Sequence, residues 1–165
     1  MAAADVTLRI GHGFDAHPLV PGRRCLLGGV DVPSDAGPEG HSDGDVVLHA
    51  LADAFLGAAA AGDLGSVFGT SRPEWKDASS SLLLGHVREI TGHPEVLNVD
   101  VTVIAARPKV GPFRDAMREK IAGLLGIPAS RVSVKASSGN GLTEFGRGEG
   151  VAAEAVVLVD APDAG

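Results

Sequence analysis

Apolar positions first divide the chain into elements. Val6 to Ile10 reads as a short strand that runs into Gly11-His12-Gly13-Phe14-Asp15-Ala16-His17-Pro18, where the glycines and Pro18 predict a bent, irregular continuation. Cys25 to Leu27 and Val30 to Val32 flank Gly28-Gly29, a hairpin signal, and a polar loop from Pro33 to Gly40 follows. Ser42-Asp43-Gly44-Asp45 supplies N-cap chemistry for an Ala/Leu-rich helix from about Asp45 to Ala60, closed by Gly62. A loop from Pro73 to Ser79 leads to a second helix, Ser80 to Thr91, and Val99 to Ile104 alternates as a half-buried strand does. Pro112 to Leu125 predicts a third helix, with Pro near its start and Gly126 past its end. Arg131 to Ala136 and Val151 to Val159 are strands on either side of a Gly-rich loop, Ser137 to Gly150. Strands alternate with helices, but the hairpin argues against a purely parallel sheet. The expected fold is α/β, a two-layer sandwich with a mixed β-sheet and helices on one face.

Composition narrows the class. The 165 residues suit a single domain spanning 1–165. Fourteen basic against twenty-one acidic residues give a formal charge of −7, with no basic run, which disfavours nucleic acid and anionic membranes as partners. Met-Ala-Ala-Ala-Asp at the start resembles no signal peptide and no apolar run reaches spanning length, so a cytoplasmic protein is expected. With one cysteine, Cys25, any metal site must be built from His and carboxylates.

Three places could carry chemistry. On an extended segment Asp15 and His17 point to one face, and His49 lies on the predicted helix with Asp45 one turn before it and Asp53 one turn after. Asp, His and His form a three-ligand set of the kind a zinc ion with an open fourth position requires; the plainer reading is a capping Asp15 and two structural imidazoles. The loop after Lys135, with Ser137, Ser138 and Arg147, could cradle phosphate through backbone amides and a guanidinium, or be a plain surface connection. Ala105-Ala106-Arg107-Pro108-Lys109 sits between a strand and a helix, where α/β folds place ligand loops, although a solvated turn would look the same.

Taken together, Arg9 to His17, then His41-Ser42-Asp43-Gly44-Asp45 with His49, then Gly146-Arg147-Gly148-Glu149-Gly150 resemble the 2-C-methyl-D-erythritol 2,4-cyclodiphosphate synthase family, from about Leu8 to Val159. The resemblance implies a homotrimer with active sites at the subunit interfaces around an apolar central cavity. It implies a phosphorus–oxygen lyase in which the 2-phosphate of a CDP-linked methylerythritol attacks the β-phosphorus, releasing CMP and closing a cyclic diphosphate for isoprenoid synthesis. Zn²⁺ would be held by Asp15, His17 and His49, and a second ion, Mg²⁺ or Mn²⁺, would bridge the diphosphate. By the same resemblance His41 and Ser42 contact the attacking phosphate, with His41 stabilising the transition state, and Ser138 assists at the diphosphate. Asp63, with Leu64 and Gly65, would hold the polyol. Phe68 and Lys76 belong to the flap over its phosphate. Ala105, Pro108 and Lys109 form part of the cytidine pocket, and Ser137, Asn140, Glu144 and Arg147 complete the substrate-binding set, Arg147 with Glu149 lining the loop near the trimer axis.

Two stretches depart from the family pattern. Asn140 stands where a glutamate would hold the second metal, and a neutral amide is the poorer ligand for a hard cation. Phe68-Gly69-Thr70-Ser71-Arg72-Pro73 replaces a flap that usually carries two aspartates, gaining Arg72. These changes leave two alternatives: the same cyclisation on a different CDP-linked polyol phosphate, or a non-catalytic trimer that binds a cytidine nucleotide.

Overall fold

The computed structural model describes residues 6–69 and 78–161. Strand β1 (Leu8–Pro21) is followed by a small hairpin of β2 (Leu26–Leu27) and β3 (Val30–Asp31), then β4 (Ala36–Pro38). Helices α1 (Val46–Ala58), α2 (Leu64–Phe68) and α3 (Ser80–Ile90) precede β5 (Glu95–Ile104). Helix α4 (Arg114–Leu125) connects to β6 (Val132–Ser137), and a single helical turn, α5 (Thr143–Gly146), leads into β7 (Gly150–Asp160).

The main sheet runs β4-β1-β7-β5-β6. Every pairing is antiparallel except β5 with β6, which are parallel and joined through α4, so the sheet is mixed as expected. Helix α1 packs across β1 and β7, α4 covers β6, and α3 packs on α1. Val99, Val101 and Val103 of β5, with Val151, Ala153, Ala155 and Val157 of β7, point to that helical layer and are fully buried. On the opposite face, Leu8, Ile10, Phe14 and Val156 are 58%, 70%, 50% and 39% exposed. Among the described residues no helix is long and apolar enough to cross a membrane.

Three expectations are corrected. The strand predicted to end at Ile10 continues without a break to Pro21, because Gly11 and Gly13 serve close packing and not a bend. A Cβ on Gly11 would lie 1.7 Å from the carbonyl oxygen of Ala54, and one on Gly13 would lie 1.9 Å from that of Ala50. Helix α1 therefore rests directly on the backbone of β1. The loop expected from Pro33 to Gly40 contains β4, which pairs with the end of β1, and the Gly-rich loop before β7 contains α5.

Asp45 is the N-cap of α1, but it does not face the same way as His49. Its buried carboxylate accepts from the backbone N–H groups of Val47 and Leu48 within the helix, and of Gly28 and Gly29 in the β2–β3 turn. One side chain thus joins the hairpin to the start of α1. Asp45→Ala removes the cap and leaves buried amides unpaired, and is expected to destabilise the fold by about 2–4 kcal/mol, measured by urea denaturation. Cys25 is buried in the core, and burial, with Asp45 and Asp31 nearby, pushes its thiol up to about 11. It packs there as a small apolar residue.

Candidate metal and phosphate site

The alternation of β1 leads from the fold to the site. Gly11, Gly13, Asp15 and His17 occupy one side of the strand, the side on which α1 lies. Where the glycines end, the space between strand and helix is filled by ligating side chains. Asp15 Oδ2 is 3.0 Å from His49 Nδ1 and 3.0 Å from His17 Nε2. The two imidazole rings are 5.8 Å apart at 64°. One ligand atom from each of Asp15, His17 and His49 lies within 4.8 Å of the others.

This donor set fits a divalent cation. His17 Nε2 is buried yet makes no hydrogen bond, its approach to Asp15 being close but badly aligned. A buried ring nitrogen without a partner is costly unless something fills its lone pair. Two imidazole nitrogens and a carboxylate oxygen, half-buried and converging, also match the ligand chemistry of zinc-type ions.

The electrostatics agree. Burial alone would raise the Asp15 carboxyl, but the adjacent His17 and His49 imidazoles outweigh it and hold Asp15 well below the usual carboxylate range. For His49, burial would lower the imidazole, while the Asp15 hydrogen bond and the charges of Asp15, Asp45 and Asp43 raise it above the usual value. A cation needs the His49 nitrogen free of its proton, so the raised value makes protons stronger competitors. Metal affinity is expected to fall with falling pH, the loss setting in above the usual imidazole value of about 6.5 because the His49 value is raised, as chelator-competition titrations at several pH values would show.

Next to the triad, His41 is exposed and Ser42 is half-buried at the turn before α1. Ser42 Oγ lies 3.1 Å from His49 Nε2. Arg23 fixes this turn, its guanidinium donating to the carbonyl oxygens of Gly40 at 3.0 Å and Ser42 at 2.8 Å. Nothing in the sequence pattern singled out Arg23. Asp53 does not join the triad; it accepts the N–H of Leu64 at 2.7 Å and so ties α1 to α2. Asp63 caps α2, with a reciprocal bond to Ser66, beside Leu64 and Gly65; Phe68 is buried at the far end of that helix. Lys76 and Arg72 lie outside the described residues.

The second group forms its own cradle. Ala105 N–H donates to Ser137 O at 2.9 Å and Ala106 N–H to Phe145 O at 3.1 Å, so the segment holding Ala105, Pro108 and Lys109 lies beside the Ser137–Arg147 loop. Arg107 donates to Gly148 O at 2.8 Å. Ser137, Ser138, Lys109, Glu144 and Arg147 are exposed there, and Arg147 pairs with Glu149 at 3.0 Å and Glu144 at 3.4 Å. Asn140 has φ 51°, a left-handed backbone that Asn tolerates far better than glutamate does. Its identity thus has a local backbone reason.

Sheet register relates the two groups. Ala16 pairs with Ala152, Ala152 with Ile104, and Ile104 with Ser137. Both groups lie at one end of the sheet, separated by three strand spacings, roughly 14 Å.

Comparison with known proteins points the same way. The model of the YgbB family matches residues 8–160. The 2-C-methyl-D-erythritol 2,4-cyclodiphosphate synthase of Moorella thermoacetica is 52% identical over 163 residues, covering 96% of this chain and 98% of that protein. A solved 2C-methyl-D-erythritol-2,4-cyclodiphosphate synthase superposes with a TM-score of 0.85 at 36% identity, covering 92% of this chain and all of that one. The CDP-bound form of such a synthase gives a TM-score of 0.82 at 35% identity, with the same coverage.

Proposed function

The chain belongs to the YgbB family, and from that premise we propose that it converts CDP-2-C-methyl-D-erythritol 2-phosphate to 2-C-methyl-D-erythritol 2,4-cyclodiphosphate with release of CMP. The observation that carries the reading is the converging set of Asp15, His17 and His49 beside Ser42, at the same sheet end as the Lys109 and Arg147 loops.

Joining two phosphate groups is opposed by their charge, so the site must neutralise charge and fix geometry. Asp15, His17 and His49 would hold Zn²⁺, which when bound polarises the β-phosphate. His41 and Ser42, on the turn pinned by Arg23, meet the attacking phosphate and hold it in line. Asp63, presented at the start of α2, orients the polyol hydroxyls. Ala105, Pro108 and Lys109 receive the cytidine end, while the hydroxyls of Ser137 and Ser138 and the Arg147 guanidinium face the diphosphate. Asn140 offers a neutral oxygen there, which supports weak use of a second Mg²⁺ or Mn²⁺ ion.

A homotrimer is part of the proposal. Leu8, Ile10, Phe14 and Val156 expose an apolar sheet face of the kind that association covers. The separation of triad and cradle within one chain supports active sites completed by a neighbouring subunit. Residues 1–165 act as one such unit.

Incubating the purified protein with the CDP-linked 2-phosphate and following CMP by chromatography tests the reading. Metal-dependent CMP release with a cyclic diphosphate product is expected; none above a metal-stripped control rejects it.

A further inference from the structure

The two nitrogens of His49 have different surroundings. Nδ1 faces Asp15, whereas Nε2 lies 2.9 Å from Ser80 Oγ and 3.1 Å from Ser42 Oγ. Ser80 opens α3 and is 1% exposed. Its hydroxyl donates to Asp43 Oδ1, and its backbone N–H donates to Asp43 Oδ2 at 2.9 Å. Asp43 Oδ1 also accepts the N–H of Asp45 at 3.1 Å.

We propose that Ser80, oriented by Asp43, is a positioning residue that fixes the proton of His49 on Nε2 and so presents Nδ1 to the metal. The inference rests on the metal-site reading above. An ionised Asp43 only accepts hydrogen bonds, so it draws the Ser80 hydroxyl proton toward itself. The Ser80 oxygen then turns its lone pairs to His49, and only a protonated Nε2 satisfies it. With Nε2 protonated, neutral His49 carries its free lone pair on Nδ1, the nitrogen in the triad. Burial keeps water from replacing Ser80. Ser42 is half-buried and also accepts the N–H of Gly44 at 3.3 Å, so its hydroxyl can turn to a phosphate without releasing the ring.

Outer hydrogen-bond partners of metal-binding histidines are typically worth 10–100-fold in metal affinity. Ser80→Ala is therefore expected to weaken Zn²⁺ binding by about 10–100-fold in chelator competition, with Ser80→Thr, which keeps the hydroxyl, close to the unmodified protein. In the zinc-loaded protein, nitrogen-15 histidine spectra should show His49 protonated at Nε2, and that proton should exchange with water faster in Ser80→Ala. Urea denaturation of the metal-free variants reports separately on the fold. If Ser80→Ala does not fold, Asp43→Asn gives the same readout, because an amide no longer fixes the direction of the Ser80 hydroxyl; weaker zinc binding is expected. Unchanged zinc affinity in the folded variant, or His49 protonated at Nδ1 in the zinc-loaded protein, overturns the positioning role alone. Failure of the unmodified protein to bind zinc overturns the metal-site reading and this role with it.

Discussion

Gly13→Ala is expected to destabilise the protein by about 3 kcal/mol or more and to lower its metal content, although alanine carries no charge and adds a single methyl group. The added Cβ would lie 1.9 Å from the Ala50 carbonyl oxygen and 2.7 Å from the Ala54 amide nitrogen. Both are backbone atoms of α1, so no side chain can rotate away. The helix must lift from β1 by roughly 1 Å, and packed interiors resist such shifts. Total stability of a domain this size is about 5–15 kcal/mol, so the loss is a large share of it. Asp15 stands two residues along β1 and His49 one residue before Ala50, so lifting the helix also opens the 3.0 Å contact between them. Gly85→Ala in α3 supplies the contrast. Nothing lies within 4 Å of its Cβ, and there alanine should stabilise the helix by about 0.5–1 kcal/mol. Urea denaturation of both variants, with zinc content measured on each, checks the pair.

That contrast also shows what the sequence could convey. The spacing of Asp15 and His17 put both on one side of an extended segment, and the β1 register shows them there. His49 could be placed on a helix by the cap at Asp45 and the Ala/Leu pattern that follows. The meaning of Gly11 and Gly13 was hidden, because a glycine that permits a turn and one that permits contact with a helix look alike in sequence. Only the position of α1 distinguishes them. Asp45 and Asp53 share helical spacing with His49, yet each is drawn off by backbone amides distant in sequence, those of Gly28 and Gly29 for Asp45 and that of Leu64 for Asp53. Five-residue α2 has too little apolar pattern to announce itself, being held by the Asp63 cap and Asp53. Arg23 acts through carbonyl oxygens of Gly40 and Ser42, which carry no side-chain signal at all.

His49→Ala is the second large effect, and it should separate chemistry from folding. The substitution removes a largely buried ring, 12% exposed, from the first turn of α1 but leaves the Gly11 and Gly13 contacts and the Asp45 cap in place. Its cost in stability should be about 1–3 kcal/mol, within reach of a folded protein. The effect on the site is greater. Losing one of three ligands leaves Asp15 and His17, too few to retain a cation against solvent, so zinc content should drop nearly to background. Lewis-acid stabilisation of a phosphoryl oxygen is worth several kcal/mol, and each 1.36 kcal/mol is a factor of ten, so CMP release should fall by roughly 10³-fold or more. His41→Ala offers the informative comparison. His41 is exposed and outside the triad, so its loss should spare zinc content and lower the rate by about 10²–10³-fold, as for loss of one preorganised donor. Metal analysis and the CMP assay on the two variants test the division of labour directly. Equal zinc content in His49→Ala and the unmodified protein would place the metal elsewhere, and a His41→Ala enzyme of full activity would remove that residue from the attacking phosphate.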